Sequence, residues 1–198
     1  MLTDKRERRR AVVSRTTSET SIELEIDLEG GPIEITTSVD FLDHMVTAFA
    51  KHSGCGLKIR ARGDGMDNHH IIEDVGIALG KAMYDALGDK RGVVRFGSIM
   101  VPLDEALVAA SVDLSGRPYL NFRVSFLREE LGEMPTEMVG EFFRAVTDNA
   151  KITLHLIQMN GHIAHHVCEA SFKAFARAFA QAIAHTADSD IPSTKGVL

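Results

Sequence analysis

The sequence predicts an α+β domain built from two similar halves. Both halves show the same order of strands and helices, and two matched segments support a duplication. The turn sequence at 27–32 has a counterpart at 113–118, an offset of 113 − 27 = 86, and a His-His-x-x-Glu motif occurs in each half. A chance likeness between two αβ units would not explain both matches, so we infer an internal duplication. Two such units pack most economically as one pseudo-twofold domain with helices over a sheet face.

The first half, residues 1–92, has a ββαβα-like order. Apolar and polar residues alternate over 10–28, which indicates a half-buried strand. Gly30, Gly31 and Pro32 indicate the turn that follows. The remaining predicted elements are a strand at 33–37, a helix from Asp40 or Asp43 through Ala50, a strand at 57–60, and a helix from about His69 to Leu87 that Gly88 ends.

The second half, residues 93–191, repeats that order, and residues 192–198 form a C-terminal tail that we expect to bind substrate. A strand is predicted over 98–112, and an insertion near 128–135 changes the offset between the halves to 96 or 97. The halves together are expected to form one compact domain. The remaining predicted elements are a turn at 114–118, a strand at 119–126, a helix at 137–150, a strand at 152–158 and a helix at 165–184.

Composition excludes several classes of protein. The 198 residues carry a net charge of −6, which argues against a general binder of nucleic acid or of a membrane surface. No apolar run approaches the roughly 18 residues that span a membrane. The basic residues at 5–10 have no apolar run behind them, so no secretory signal is expected. Two cysteines do not make a disulfide framework, and we expect a cytoplasmic protein.

The two His-His-x-x-Glu motifs indicate metal binding. In each motif the first His and the Glu stand at i and i+4, His69 with Glu73 and His165 with Glu169, so on a helix they share one face. The second His is rotated by about 100° and must face something else. A single motif could be a solvated helix start. Its repetition in a chain with nine His favours a metal site.

The pseudo-symmetry suggests how each motif serves two ions. Each ion would take the first His and the Glu of one motif and the second His of the other, from the same subunit or a neighbouring one. Cys168 is expected to be a small buried residue rather than a thiolate ligand, because it lies off the ligand face. Such N/O-rich sites suit manganese or a similar six-coordinate ion better than structural zinc. The two predicted ligand sets are His69, Glu73 and His166, and His165, Glu169 and His70, with His44 and its repeat mate Glu141 adding one ligand each.

Residues that differ between the halves suggest a phosphate pocket. Arg117 stands where the first half has Gly31, and Lys173 stands where it has Ile77. Cations with Ser and Thr near a metal site are typical of phosphate binding, although ordinary solvated charges are the alternative. His52 lies on the His44 face of its helix and is expected to line the cavity. The candidate phosphate-binding residues are Arg95, Arg117, Lys173, Ser193, Thr194 and Lys195.

Several segments together resemble the imidazoleglycerol-phosphate dehydratase family. They are both His-His-x-x-Glu motifs, RTTSET at 15–20, DFLDHM at 40–45, RFG at 95–97, PLDEA at 102–106, DLSGRP at 113–118 and PSTKG at 192–196. The resemblance implies a fold like domain 2 of ribosomal protein S5 and two Mn²⁺ ions per active site. It also implies an assembly of 24 subunits with active sites between subunits. Many members of the family have His where this chain has Glu141, which is still a good oxygen ligand.

The resemblance further implies a lyase of histidine biosynthesis. It would dehydrate imidazole glycerol phosphate to imidazole acetol phosphate through a dimanganese-bound imidazolate. Glu19 would be the base and would also contact the substrate, since it belongs to the family motif; a lone exposed Glu on a strand is the alternative. Two other functions stay open on the metal motifs alone. They are a metal-binding oligomer without turnover and a metal-dependent hydrolase.

Overall fold

The computed structural model describes residues 9–66, 68–188 and 190–198, so most of the basic start at 5–10 lies outside it. The helices Asn68–Leu87 and Ala164–Ile183 begin within one residue of the predicted positions, which puts both His-His pairs in a first helical turn. The elements are β1 (Arg10–Thr16), β2 (Thr20–Asp27), β3 (Ile33–Thr36), α1 (Asp40–Ser53), β4 (Gly56–Gly63), α2 (Asn68–Leu87), β5 (Phe96–Leu103), β6 (Ala106–Asp113), β7 (Tyr119–Arg123), β8 (Glu130–Leu131), β9 (Met134–Pro135), α3 (Glu137–Ala150), β10 (Thr153–Asn160) and α4 (Ala164–Ile183).

Two four-stranded sheets with the same topology confirm the predicted duplication. The first sheet has the order β1-β2-β4-β3 and the second has the order β5-β6-β10-β7. In each, the hairpin strands pair antiparallel and the short third strand pairs parallel with the strand that follows the first helix. The predicted division at 92/93 falls in the connection between α2 and β5.

The prediction of single strands at 10–28 and 98–112 was wrong. Each is a tight hairpin, with turns at 17–19 and 104–105. Each arm of the hairpin keeps its own alternation, but its phase shifts by one residue at the turn. Odd-numbered residues such as Val13 face the core in β1, and even-numbered residues such as Leu24 face it in β2. The Thr17 hydroxyl accepts hydrogen bonds from the N–H groups of Glu19 and Thr20, which closes the first turn. Each repeat is therefore βββαβα, and the insertion adds the small β8–β9 hairpin.

The helices join the two halves into one core. Helix α2 packs on the first sheet and against α3, while α4 packs on the second sheet and against α1. Phe49 of α1 stacks on Phe175 of α4 with ring centroids 5.2 Å apart, and Phe143 of α3 lies 4.8 Å from Phe172. A single cluster of buried apolar residues runs through both halves. No helix within the described ranges is both long and apolar enough to cross a membrane.

Two glycines let α2 and α3 approach closely. A Cβ at Gly80 would lie 2.5 Å from the Val146 carbonyl oxygen, and one at Gly76 would lie 2.9 Å from the Ala145 Cβ. Because both glycines stand one turn apart on one face of α2, backbone packs against backbone along this seam. The seam fixes the N-terminal turn of α2, with His69 and His70, relative to α3.

Candidate active site

Three of the predicted ligands come together where α1 packs on α4. His165 Nε2 lies 3.2 Å from Glu169 Oε2, and His44 Nε2 lies 3.7 Å from the same oxygen. The three ligand atoms fall within 4.8 Å of one another. Atoms bound to one ion at about 2.0–2.6 Å lie at most about 5 Å apart, so the cluster fits a single divalent cation. Imidazole and carboxylate donors together are compatible with several divalent metal ions.

Lys173 forms an ion pair with Glu169 and supports its role as a ligand. Its Nζ lies 2.7 Å from Glu169 Oε1, which leaves Oε2 for the two imidazoles. Burial would raise the pKa of Glu169, but Lys173, His44 and His165 outweigh it and the pKa is lowered. Glu169 is therefore an ionised carboxylate at neutral pH, as a ligand must be.

The corresponding residues of the first half are not gathered in the same way. His69 Nε2 lies 3.5 Å from Glu73 Oε2, so the i, i+4 pair forms as predicted. Glu141, the repeat mate of His44, instead receives Arg144 Nε at 3.2 Å. Among the residues that the structure describes, the His44 cluster is the one group of three whose ligand atoms meet the 4.8 Å limit.

The second histidines face acidic residues of their own half. His70 Nε2 lies 3.8 Å from Glu19 Oε2, and its Nδ1 lies 3.4 Å from Asp64 Oδ2. His166 Nδ1 lies 2.8 Å from Glu105 Oε2. Hydrogen bonding lowers the pKa of Glu105 to about 2, chiefly through His166, and raises the pKa of His166. The chain thus does not bring His70 to Glu169 or His166 to Glu73 within one subunit.

Glu19 stands at the tip of the β1–β2 hairpin, with its side chain 51% exposed. Asp74, next to the motif residue Glu73, holds this hairpin on α2. Its carboxylate receives Arg15 Nη2 at 2.7 Å and the Thr20 hydroxyl, from the two strands that flank the tip. The hairpin therefore positions Glu19 beside His70 and leaves its carboxylate open to a ligand.

A group of cations surrounds His52 on the α1–α4 face. The pKa of His52 is lowered, first by burial and then by the charges of Lys173, Arg177 and Lys51. A neutral imidazole among cations can donate to an anion without adding another full charge. His52 therefore lies on the same side of the His44 cluster as Lys173, which was predicted to contact the substrate.

Arg95, Arg117 and the tail meet at the other end of α4. Arg95 donates to both carboxylate oxygens of Asp113, at 2.8 and 3.3 Å, and to the Pro192 carbonyl oxygen at 2.8 Å. Its guanidinium therefore anchors the tail to the second sheet. Arg117, Thr194 and Lys195 are exposed and Ser193 is half-buried. A Cβ on Gly116 would lie 2.6 Å from the Leu198 carbonyl carbon, so the tail passes over the Arg117 turn.

This tail region is far from the His44 cluster of the same chain. The Arg95 N–H donates to the Ala182 carbonyl oxygen at 2.8 Å, near the end of α4. Glu169 precedes Ala182 by 182 − 169 = 13 residues, or about 20 Å along the helix. A phosphorylated molecule with one imidazole ring is much shorter, so it cannot bridge the two regions of one chain.

Sequence reasoning missed four acidic residues and one cation. Asp64, Asp104 and Glu105 face the second histidines from turns, and Asp74 anchors the Glu19 hairpin. Arg177 carried a readable signal, since it follows Lys173 by four residues on α4, and so did Glu105, the counterpart of Glu19 at the offset of 86 residues. Asp64 is close to His70 in sequence, but no pattern predicts their contact, and Asp74 is distant in sequence from the hairpin residues that it contacts.

Comparisons with known proteins agree on one family. Residues 37–179 match the family model described as imidazoleglycerol-phosphate dehydratase. The imidazoleglycerol-phosphate dehydratase of Acidiphilium cryptum is 54% identical over 194 residues, covering 96% of this chain and 99% of that protein. The one from Gluconobacter oxydans is 52% identical over 196 residues, covering 97% and 99%.

Solved structures agree with these sequences. The Staphylococcus aureus imidazoleglycerol-phosphate dehydratase superposes with a TM-score of 0.83 at 42% identity, covering 89% of this chain and 99% of that one. The Pyrococcus furiosus enzyme also gives 0.83, at 38% identity, covering 94% and 100%. Fold and matches define a dehydratase, a lyase of duplicated α+β architecture. The chain belongs to the imidazoleglycerol-phosphate dehydratase family, whose reaction is a step of histidine biosynthesis.

Proposed function

We propose that this enzyme dehydrates imidazole glycerol phosphate to imidazole acetol phosphate with two Mn²⁺ ions in each active site. The metal part of this proposal is supported by His44, His165 and Glu169, whose ligand atoms lie within 4.8 Å of one another. Family membership supports the reaction, and it also disfavours a hydrolase or a metal-binding oligomer without turnover. We expect the enzyme to work in the cytoplasm.

The ligand types assign two sets of residues. His44, His165 and Glu169 would hold one ion, and His69, Glu73 and Glu141 would hold its counterpart. His70 and His166 would complete these sites across a subunit boundary, because neither reaches the opposite set within one chain. Bound manganese would supply Lewis-acid stabilisation of the substrate's imidazole ring as an imidazolate.

Glu19 then acts as the base. Loss of the C3 hydroxyl draws electrons from the ring and makes the C2–H acidic, so a carboxylate beside the ring can take that proton. The position of Glu19 Oε2, 3.8 Å from His70 Nε2, supports this role because a ligand of His70's ion would lie within its reach. By contacting the substrate, the Glu19 carboxylate also orients it.

The phosphate-binding residues would come from a neighbouring subunit. Arg117, Ser193, Thr194 and Lys195 lie about 20 Å along α4 from the His44 cluster. A second copy could bring its tail to this cluster, where Lys173 and His52 would complete the contacts to the phosphate. Arg95 would support the tail through Pro192 rather than bind the phosphate with its fork, which Asp113 already occupies.

A large homo-oligomer, which we expect to contain 24 subunits, would provide such contacts. The outer face of the second sheet supports association, because Met100, Ala109 and Ile157 form an apolar row across it. The outer face of the first sheet carries charges, including Glu23 and Lys58.

Turnover of a Glu19→Gln variant tests the assignment. The wild-type protein, loaded with manganese, should convert imidazole glycerol phosphate to a ketone, and the variant should lose most of this activity while keeping its metal and its mass. Glu23→Gln is the matched control, since Glu23 lies on the outer face of the same hairpin. Near-normal turnover of Glu19→Gln would remove Glu19 as the base. Absence of turnover in the wild-type protein would contradict the proposed reaction.

A further inference from the structure

Glu105 connects the β5–β6 turn to the start of α4. One of its carboxylate oxygens accepts hydrogen bonds from the N–H groups of Ile163, at 2.8 Å, and His162, at 3.3 Å. The other oxygen lies 2.8 Å from His166 Nδ1. Its side chain thus spans the helix N-terminus and one of the candidate metal-binding imidazoles.

This contact fixes the state of the His166 ring. A carboxylate accepts hydrogen bonds and cannot donate them, so the proton must lie on His166 Nδ1. The lone pair is then on Nε2, which points away from Glu105. Asp104 Oδ2 lies 3.8 Å from this nitrogen, beyond hydrogen-bond distance, so Nε2 is available to bind a cation. Metal-binding histidines are commonly held in this way by a carboxylate on the other ring nitrogen.

The first half lacks an equally close arrangement. Glu19 is the repeat mate of Glu105 at the offset of 86 residues, yet it lies on the Nε2 side of His70. His70 Nδ1 is buried without a hydrogen-bond partner among the residues described here, and Asp64 lies 3.4 Å away. After duplication the two equivalent glutamates therefore came to face opposite sides of their histidines.

We propose that Glu105 is a positioning residue that holds the tautomer and the orientation of His166, so that Nε2 is presented to manganese. The inference rests on the proposed function. The competing explanation is that Glu105 only caps α4, because its bonds to Ile163 and His162 would serve that role at a helix N-terminus.

Glu105→Gln separates the two explanations. Glutamine has one oxygen, and that oxygen satisfies two donors if it stays with the backbone N–H groups of 162 and 163. Its NH₂ group then faces His166 Nδ1 as a donor, which moves the ring proton to Nε2 and blocks that atom. The helix cap survives, whereas the metal ligand is lost.

The measurement is Mn²⁺ binding to chelator-stripped full-length protein, with free Mn²⁺ followed by electron paramagnetic resonance. Glu105→Gln should weaken binding by about 10- to 100-fold, the usual effect of removing such a supporting group. The melting temperature of the stripped variant should match wild type. Glu34→Gln, an exposed change on β3, should alter neither quantity.

A double-mutant cycle shows whether the effect passes through His166. In a His166→Ala background, Glu105→Gln should cause no additional loss of Mn²⁺ affinity. Wild-type affinity in the single variant, or an equal loss in both backgrounds, would overturn the proposal. If His166→Ala itself bound Mn²⁺ normally, the ligand assignment in the proposed function would fail, and the positioning role with it.

Discussion

Removal of the Arg95 side chain should release the C-terminal tail. Arg95 holds the tail through its bond to the Pro192 carbonyl oxygen, and Asp113 holds Arg95 in place through two further bonds. A hydrogen bond from a charged donor contributes about 1.5–3 kcal/mol. Because the Arg95 side chain is only 16% exposed, solvent screens this bond little. Arg95→Ala should therefore weaken docking of the tail by about ten- to a hundredfold.

Limited trypsin digestion reports this docking directly. Cleavage after Lys195 requires the undocked tail, and its rate follows the population of that state when docking is fast. Release of residues 196–198, followed by mass spectrometry, should accelerate by about ten- to a hundredfold in Arg95→Ala. The KM for substrate should rise with little change in kcat, since the tail is expected to bind the phosphate.

Arg91→Ala is the control for Arg95→Ala. The Arg91 guanidinium contacts Asp89 at 2.9 Å, two residues away, and is exposed. Arg95→Lys should give an intermediate result, because a lysine keeps the charge but cannot make the fork to Asp113. A tail in Arg95→Ala that is cleaved no faster than in wild type would refute the anchoring role of Arg95.

Three further predictions concern the phosphate contacts, the metal and the assembly. Arg117→Ala and Lys195→Ala should each raise KM by about ten- to a hundredfold with unchanged metal content, as measured by steady-state kinetics. Lys81 is an exposed lysine of α2, and the control variant Lys81→Ala should leave KM unchanged. Lys173→Met removes the cation that offsets burial of Glu169, so the pKa of Glu169 should rise. Because a protonated carboxylate cannot ligate, this variant should lose Mn²⁺ at a higher pH than wild type in a pH titration of bound metal. Chelation should reduce the oligomer to a small unit such as a trimer, and manganese should restore it. Acid below about pH 6.5 should act like chelation, because imidazolium cannot bind a metal ion. Light scattering measures the particle mass in all three experiments.

The parts of the fold that depend on short-range sequence patterns were predicted correctly. Helix α2 was placed correctly because its apolar period runs up to Leu87 and Gly88 can end it in the left-handed region. The duplication was readable because the turn recurs at an offset of 86 and the motif at 96, and the insertion near 128–135 accounts for the difference. The two hairpins were missed, because no Gly or Pro marks 17–19 or 104–105. The sequence signal for the first turn is a shift of the apolar positions from odd to even numbers, as from Val13 to Leu24.

The sequence predicted which residues belong to the candidate site more fully than it predicted how they are arranged. The i, i+4 pairs His69–Glu73 and His165–Glu169 form because helix geometry alone determines them. The partner of His166 could not be read in this way, because Glu105 lies 61 residues earlier and reaches it only through the packing of a hairpin on a helix. Arg95 was grouped with the phosphate contacts by its charge, whereas its pairing with Asp113 depends on the register of β5 and β6.

A subunit-mixing experiment tests most directly whether the active site combines the two distant regions of the chain in different subunits. His165→Ala damages the metal cluster and Arg117→Ala damages the tail region, so each variant alone should have little activity. The two proteins are stripped of metal, mixed in equal amounts and reassembled with Mn²⁺. If the sites lie between subunits, up to about a quarter of them should combine two intact contributions, and turnover should exceed that of either parent. Mixed oligomers with no gain in turnover would mean that both regions of one site come from the same chain, and would contradict the account.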